Sequence, residues 1–130
     1  MTSPDSLEGD ECARATCAGA LTTHVLDTAR GAPAAGVRVT LDHETGPGVW
    51  TRVGDGTTDA DGRLRTLLAA GALRSGAYRL AFDVGTYFAA LGVQAFWRNV
   101  VVELVIADPA AHFHVPLLVS PFGYSTYRGG

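Results

Sequence analysis

At 130 residues and 13.6 kDa the chain is sized for one domain, large enough to bury a core yet small enough to gain from subunit contacts. Its net charge of -3, with no basic run, argues against nucleic acid as a partner, and it lacks an apolar run near the roughly 18 residues that a membrane helix requires. All ten basic residues are arginine, which excludes a lysine Schiff base or lysine general base and leaves arginine or histidine as any catalytic cation.

Residues 1–20 are polar, small and acidic, with Asp5, Glu8, Asp10 and Glu11 ahead of any basic residue, and they read as a disordered leader. The leader has no apolar stretch of signal-peptide type, so the cytoplasm is the expected compartment. Cys12 and Cys17 both fall inside it, too close together for a disulfide framework, and read as reduced thiols.

From Leu21 onward, short β-branched or aromatic runs alternate with Gly, Pro and Asp clusters, the pattern of an all-β sandwich spanning 21–130. Leu21–Asp27 forms a first strand, closed by Arg30-Gly31-Ala32-Pro33. Val37–Asp42 alternates apolar and polar residues, and Val49–Val53 is a shorter strand. Asp59-Ala60-Asp61-Gly62 is a turn that leads into a strand over Arg63–Thr66. The cleanest strand is Tyr78–Val84, with Tyr78, Leu80, Phe82 and Val84 on one face.

Thr86–Leu91 suits one short helix, with a threonine near its start, alanines inside and Gly92 after it. Asn99–Ala107 is a strand so apolar that cover on both faces is expected. In the last strands, Phe113, Val115, Leu117 and Val119 form an apolar face opposite His112, His114, Pro116 and Leu118. The histidine face therefore looks at something other than the main core.

Four histidines carry most of the available chemistry. His43, in a polar turn beside Glu44, reads as structural. His114 lies on a face too apolar for a solvent-washed surface, where an imidazole is tuned around neutrality as a general base needs. His24 shares a face with Thr22, opposite Val25, and Arg63 follows the tight Asp61-Gly62 turn, where a strand-start side chain can point across a site. His112-x-His114 with His24 as third ligand is also a zinc arrangement, but no nearby carboxylate completes it. Asp59-Ala60-Asp61-Gly62 has part of a calcium-loop pattern and lacks the remaining ligands. No Gly-x-Ser-x-Gly elbow, phosphate loop or dinucleotide fingerprint is present.

Taken together, Leu21-Thr22-Thr23-His24-Val25-Leu26-Asp27-Thr28, Asp61-Gly62-Arg63, His112-Phe113-His114-Val115-Pro116-Leu117-Leu118 and Tyr124-Ser125-Thr126-Tyr127-Arg128-Gly129 resemble the 5-hydroxyisourate hydrolases, transthyretin-like enzymes of purine breakdown. The resemblance covers residues 21–130. It implies an all-β, transthyretin-like sandwich of about eight strands with one short helix. It further implies a homotetramer, a dimer of dimers around a channel lined by the histidine face, with each site built where subunits meet.

By the same resemblance, His24, Arg63 and His114 are the catalytic set, Tyr127, Ser125 and His112 are substrate contacts, and neither metal nor cofactor is needed. The implied reaction hydrolyses 5-hydroxyisourate to 2-oxo-4-hydroxy-4-carboxy-5-ureidoimidazoline. Thyroid-hormone-binding transthyretin carries other residues at the three catalytic places and lacks the Tyr-Arg-Gly ending. The alternative on the same fold is a non-catalytic small-ligand-binding protein. Two departures from the family pattern stand out: Gly130 replaces the usual terminal serine, and Gln94-Ala95-Phe96-Trp97-Arg98-Asn99 lacks the usual proline-rich approach to the next strand.

Overall fold

The computed structural model describes residues 19–130, so all but the last two positions of the expected leader, Cys12 and Cys17 included, lie outside the described residues. Two sheets face each other. The first contains β1 (Ala20–Asp27), β2 (Ala32–Pro33), β5 (Arg63–Leu64), β8 (His112–Ser120) and β9 (Gly123–Thr126) in the order β2-β1-β8-β9, with β5 also pairing β1. The second runs β4-β3-β6-β7, made of β3 (Arg38–Gly46), β4 (Val49–Thr57), β6 (Gly76–Phe82) and β7 (Val100–Ile106). Among these strands only β1 and β8 run parallel, from Ala20 beside His112 to Asp27 beside Val119.

Strict alternation explains the sandwich. On β1 the odd positions Leu21, Thr23, Val25 and Asp27 are buried, and on β8 Phe113, Val115, Leu117 and Val119 turn inward beside them. Val39 and Leu41 of β3, Tyr78, Leu80 and Phe82 of β6, and Val100 and Ile106 of β7 fill the space from the other sheet. Each fully buried aliphatic or aromatic side chain stabilises the fold by about 1.5–3 kcal/mol. Thr23 and Asp27 find partners in this interior: Thr23 Oγ1 donates to the Val115 carbonyl at 2.6 Å, and the Asp27 carboxylate accepts from Tyr87 Oη at 2.8 Å.

Three differences from expectation stand out. The helix α1 (Val84–Ala90) begins two residues early, because Asp83 caps it: its carboxylate accepts from the Thr86 N–H at 3.1 Å and from Thr86 Oγ1 at 2.8 Å. Val84 therefore leaves the strand yet stays buried. β4 continues to Thr57 as the partner of β3, whereas the strand expected over Arg63–Thr66 keeps only its first two residues. The third difference concerns β7, an edge strand with Val100 and Ile106 buried and Val102 and Leu104 partly buried on its inner face, while Val101 and Val105 are 50% and 74% exposed. Within one chain, its apolar run is covered on one face only.

No helix among the described residues is long and apolar enough to cross a membrane.

Candidate active site

The parallel pairing of β1 with β8 sets Thr22 beside His114 and His24 beside Pro116. Since the neighbours Leu21, Thr23, Val25, Phe113, Val115 and Leu117 point into the core, Thr22, His24 and His114 share the outer face of the sheet. Arg63 reaches the same face through the turn before it. Asp59 holds that turn, its carboxylate accepting from the N–H groups of Asp61 and Arg63, each at 2.9 Å. The Arg63 N–H, the largest influence, keeps the Asp59 carboxyl below the usual range, so it remains ionised as a turn anchor. Gly62 supplies the left-handed φ of 75°, and its carbonyl accepts from the Val25 N–H at 2.7 Å. β5 then docks on β1 with Arg63 directly opposite His24.

His24 and His114 thus meet with ring centroids 6.5 Å apart and planes tilted by 36°. His24 Nε2 lies 2.9 Å from the Asp61 carbonyl. A carbonyl only accepts, so Nε2 carries the hydrogen, and in the neutral ring Nδ1 holds the lone pair.

The His114 ring is held from both sides of its Cγ. Its Nδ1 is 2.8 Å from Thr22 Oγ1, and a Cβ at Gly129 would lie only 2.8 Å from its Cδ2. Gly129 also donates its N–H to the His114 carbonyl at 2.7 Å, forming a β-bridge that lays the C-terminal segment over the ring. His114 lines an open recess of about 300 Å³ together with Thr22, Arg63, Arg65, His112 and Gly130. Burial, then the charges of His24, Arg63 and Arg65, hold the His114 imidazole below its ordinary pKa. Such a ring is neutral, and able to accept a proton, near pH 7.

Residues 21–129 match the HIUase/Transthyretin family. The chain belongs to that family.

A relative from Deinococcus radiodurans, a 5-hydroxyisourate hydrolase, is 47% identical over 113 residues, covering 84% of this chain and 94% of the relative. Among solved structures, Klebsiella pneumoniae 5-hydroxyisourate hydrolase shares 38% identity at a TM-score of 0.76, covering 86% of this chain and 94% of its own. Sea bream transthyretin in complex with thyroxine shares 32% at 0.79, covering 84% and 93%. The HIUase/transthyretin fold is thus common to an enzyme and a hormone-bound protein, and side chains must separate the two uses.

Of the site residues that the sequence suggests, His24, Arg63, His112 and His114 come together on this outer face. Tyr127 and Ser125 do not line the recess of their own chain. Ser125 pairs with Leu118 on β8, and Tyr127, 58% exposed, lines a different cavity of about 240 Å³ beside Leu104, Phe113 and Val115. Arg128 likewise turns aside, its guanidinium 4.6 Å from the Phe113 ring centre. His43 belongs to the other sheet, stacked on Tyr78 at 4.2 Å. Among the described residues, no group of three or more His, Cys, Asp or Glu side chains is arranged to hold a metal ion.

Thr22, Arg65 and Gly129 complete the site without having been singled out. Alternation about the buried Leu64 could have placed Arg65 beside Arg63. Thr22 and Gly129 depend on which strand lies next to which, and local pattern carries no such signal.

Proposed function

We propose that this chain hydrolyses 5-hydroxyisourate to 2-oxo-4-hydroxy-4-carboxy-5-ureidoimidazoline in urate breakdown. The observation that carries the reading is the convergence of His24, Arg63 and His114 on one outer face, with Arg63 and His114 lining the recess, in a chain of this family. Two imidazoles at this separation are within reach of one water hydrogen-bonded to both. The neutral His114 takes a proton from that water as its oxygen attacks the ring carbonyl. The C–N bond then breaks, the carbonyl carbon stays in the product as a carboxylate, and the released nitrogen takes the proton. His24 orients the water, with its Nε2–H held on the Asp61 carbonyl. Arg63 offsets charge on the carbonyl oxygen, an effect worth about 3 kcal/mol in a partly dehydrated site.

In this reading the working form is a homotetramer in the cytoplasm, with sites at subunit interfaces. Large apolar groups left open on the single chain support it: Phe96 is 73%, Val105 74% and Phe122 73% exposed. His112 contacts substrate from within the recess, and Tyr127 and Ser125 act on the ring from a neighbouring chain. A carrier of a small aromatic ligand has no use for two imidazoles and a guanidinium brought together on one face. The test is the decay of freshly generated 5-hydroxyisourate, followed by its ultraviolet band: the protein should accelerate it, and an unaccelerated decay contradicts the reading.

A further inference from the structure

We infer that Arg65 is a second substrate-holding cation of this recess, gripping the anionic oxo edge of the planar ring remote from the carbonyl that Arg63 serves. The inference rests on the hydrolase reading and extends it to how the ring is held. Leu64 is 5% exposed and points into the core, so Arg63 and Arg65 flank it on the outer side. The register Thr23 to Leu64 and His24 to Arg63 sets Arg65 level with Thr22, whose hydroxyl meets His114. Two rows result: Arg63 with His24, and Arg65 with Thr22 and His114. Arg65 lines the recess beside Arg63, and its charge is felt at the His114 ring.

Six other arginines have their guanidinium groups engaged within the chain. Arg38 pairs with Asp55 and Arg52 with Asp42, Arg30 donates to Tyr87, Arg74 to backbone carbonyls, and Arg79 and Arg128 cover the rings of Trp50 and Phe113. Arg63, Arg65 and Arg98 have no side-chain partner among the described residues, and of these Arg63 and Arg65 line the same recess. Like charges brought together repel, and an anion lying between them offsets that cost. A guanidinium presents a planar fork of donors that matches two adjacent oxygens of an oxo-heterocycle or a carboxylate. Arg65 lies a row away from the carbonyl under attack, so it binds ground state and transition state alike. Its loss should therefore be felt in KM rather than kcat.

The experiment uses the full chain, its Arg65→Gln and Arg65→Lys variants, and Arg38→Gln on the opposite sheet, all assayed with freshly generated 5-hydroxyisourate. Loss of one charge-assisted contact should raise KM of Arg65→Gln ~10-fold. Its kcat should stay within about 3-fold of the parent. Removing the positive charge near His114 should also move the acid limb of kcat/KM to higher pH, while Arg65→Lys keeps the limb in place and recovers part of KM. An unchanged KM in Arg65→Gln overturns the assignment, as does an equal rise in Arg38→Gln. A parent chain that does not turn over overturns the hydrolase reading itself, so the two failures are distinct.

Discussion

Thr22 Oγ1 stands 2.8 Å from His114 Nδ1, across a parallel strand pair that joins residues 92 positions apart. The hydroxyl both donates and accepts, so it holds the ring whichever nitrogen carries the proton. Thr22→Val keeps the shape and removes that partner. It should lower kcat about 10-fold, with Thr22→Ser close to the parent, and steady-state assay of the two variants checks it.

The pH profile follows from the surroundings of His114. Burial first, then the neighbouring positive charges, disfavour its protonated form, so its pKa lies below the ordinary imidazole value. A general base works when neutral, and activity falls as pH drops through that pKa. The acid limb of kcat/KM should therefore lie below the range of a free histidine, and His114→Ala should abolish the limb along with most of the rate.

Gly129 is required by close approach. A Cβ there would press on His114 Cδ2 at 2.8 Å, so either the ring leaves Thr22 or the C-terminal segment lifts from its bridge. Gly129→Ala should lower kcat/KM by about 10-fold or more. Since the bridge lies outside the core, Tm should shift by no more than about 4 °C. A variant with both parameters unchanged would show that the segment does not position the ring.

Much of this architecture is legible in the residues because period-2 alternation on β1, β6 and β8 separates a core face from an outer face. That logic sets His24 and His114 outside the core. Resemblance then linked them to Arg63. Alternation does not reveal strand neighbours, so the Thr22–His114 contact and the seat of Gly129 emerge only from the parallel register. Nor does it locate helix starts: the Asp83 carboxylate competes with the strand pattern through Val84 and wins by satisfying the Thr86 N–H. On β7 the apolar run predicts cover on both faces, whereas within the single chain one face is exposed. Tyr127 shows the same limit, because local pattern does not reveal that its side chain lines a different cavity from the histidines.

The central claim is that His24, Arg63 and His114 together activate water on a cyclic amide. Its most direct test is turnover of freshly generated 5-hydroxyisourate by the parent chain and by His24→Ala, Arg63→Ala and His114→Ala, with the assembly state checked by sedimentation. The account predicts a catalytically active parent, each variant slower by a factor of ~100 or more, and an unchanged assembly. Parental turnover retained in the His114→Ala variant would contradict it.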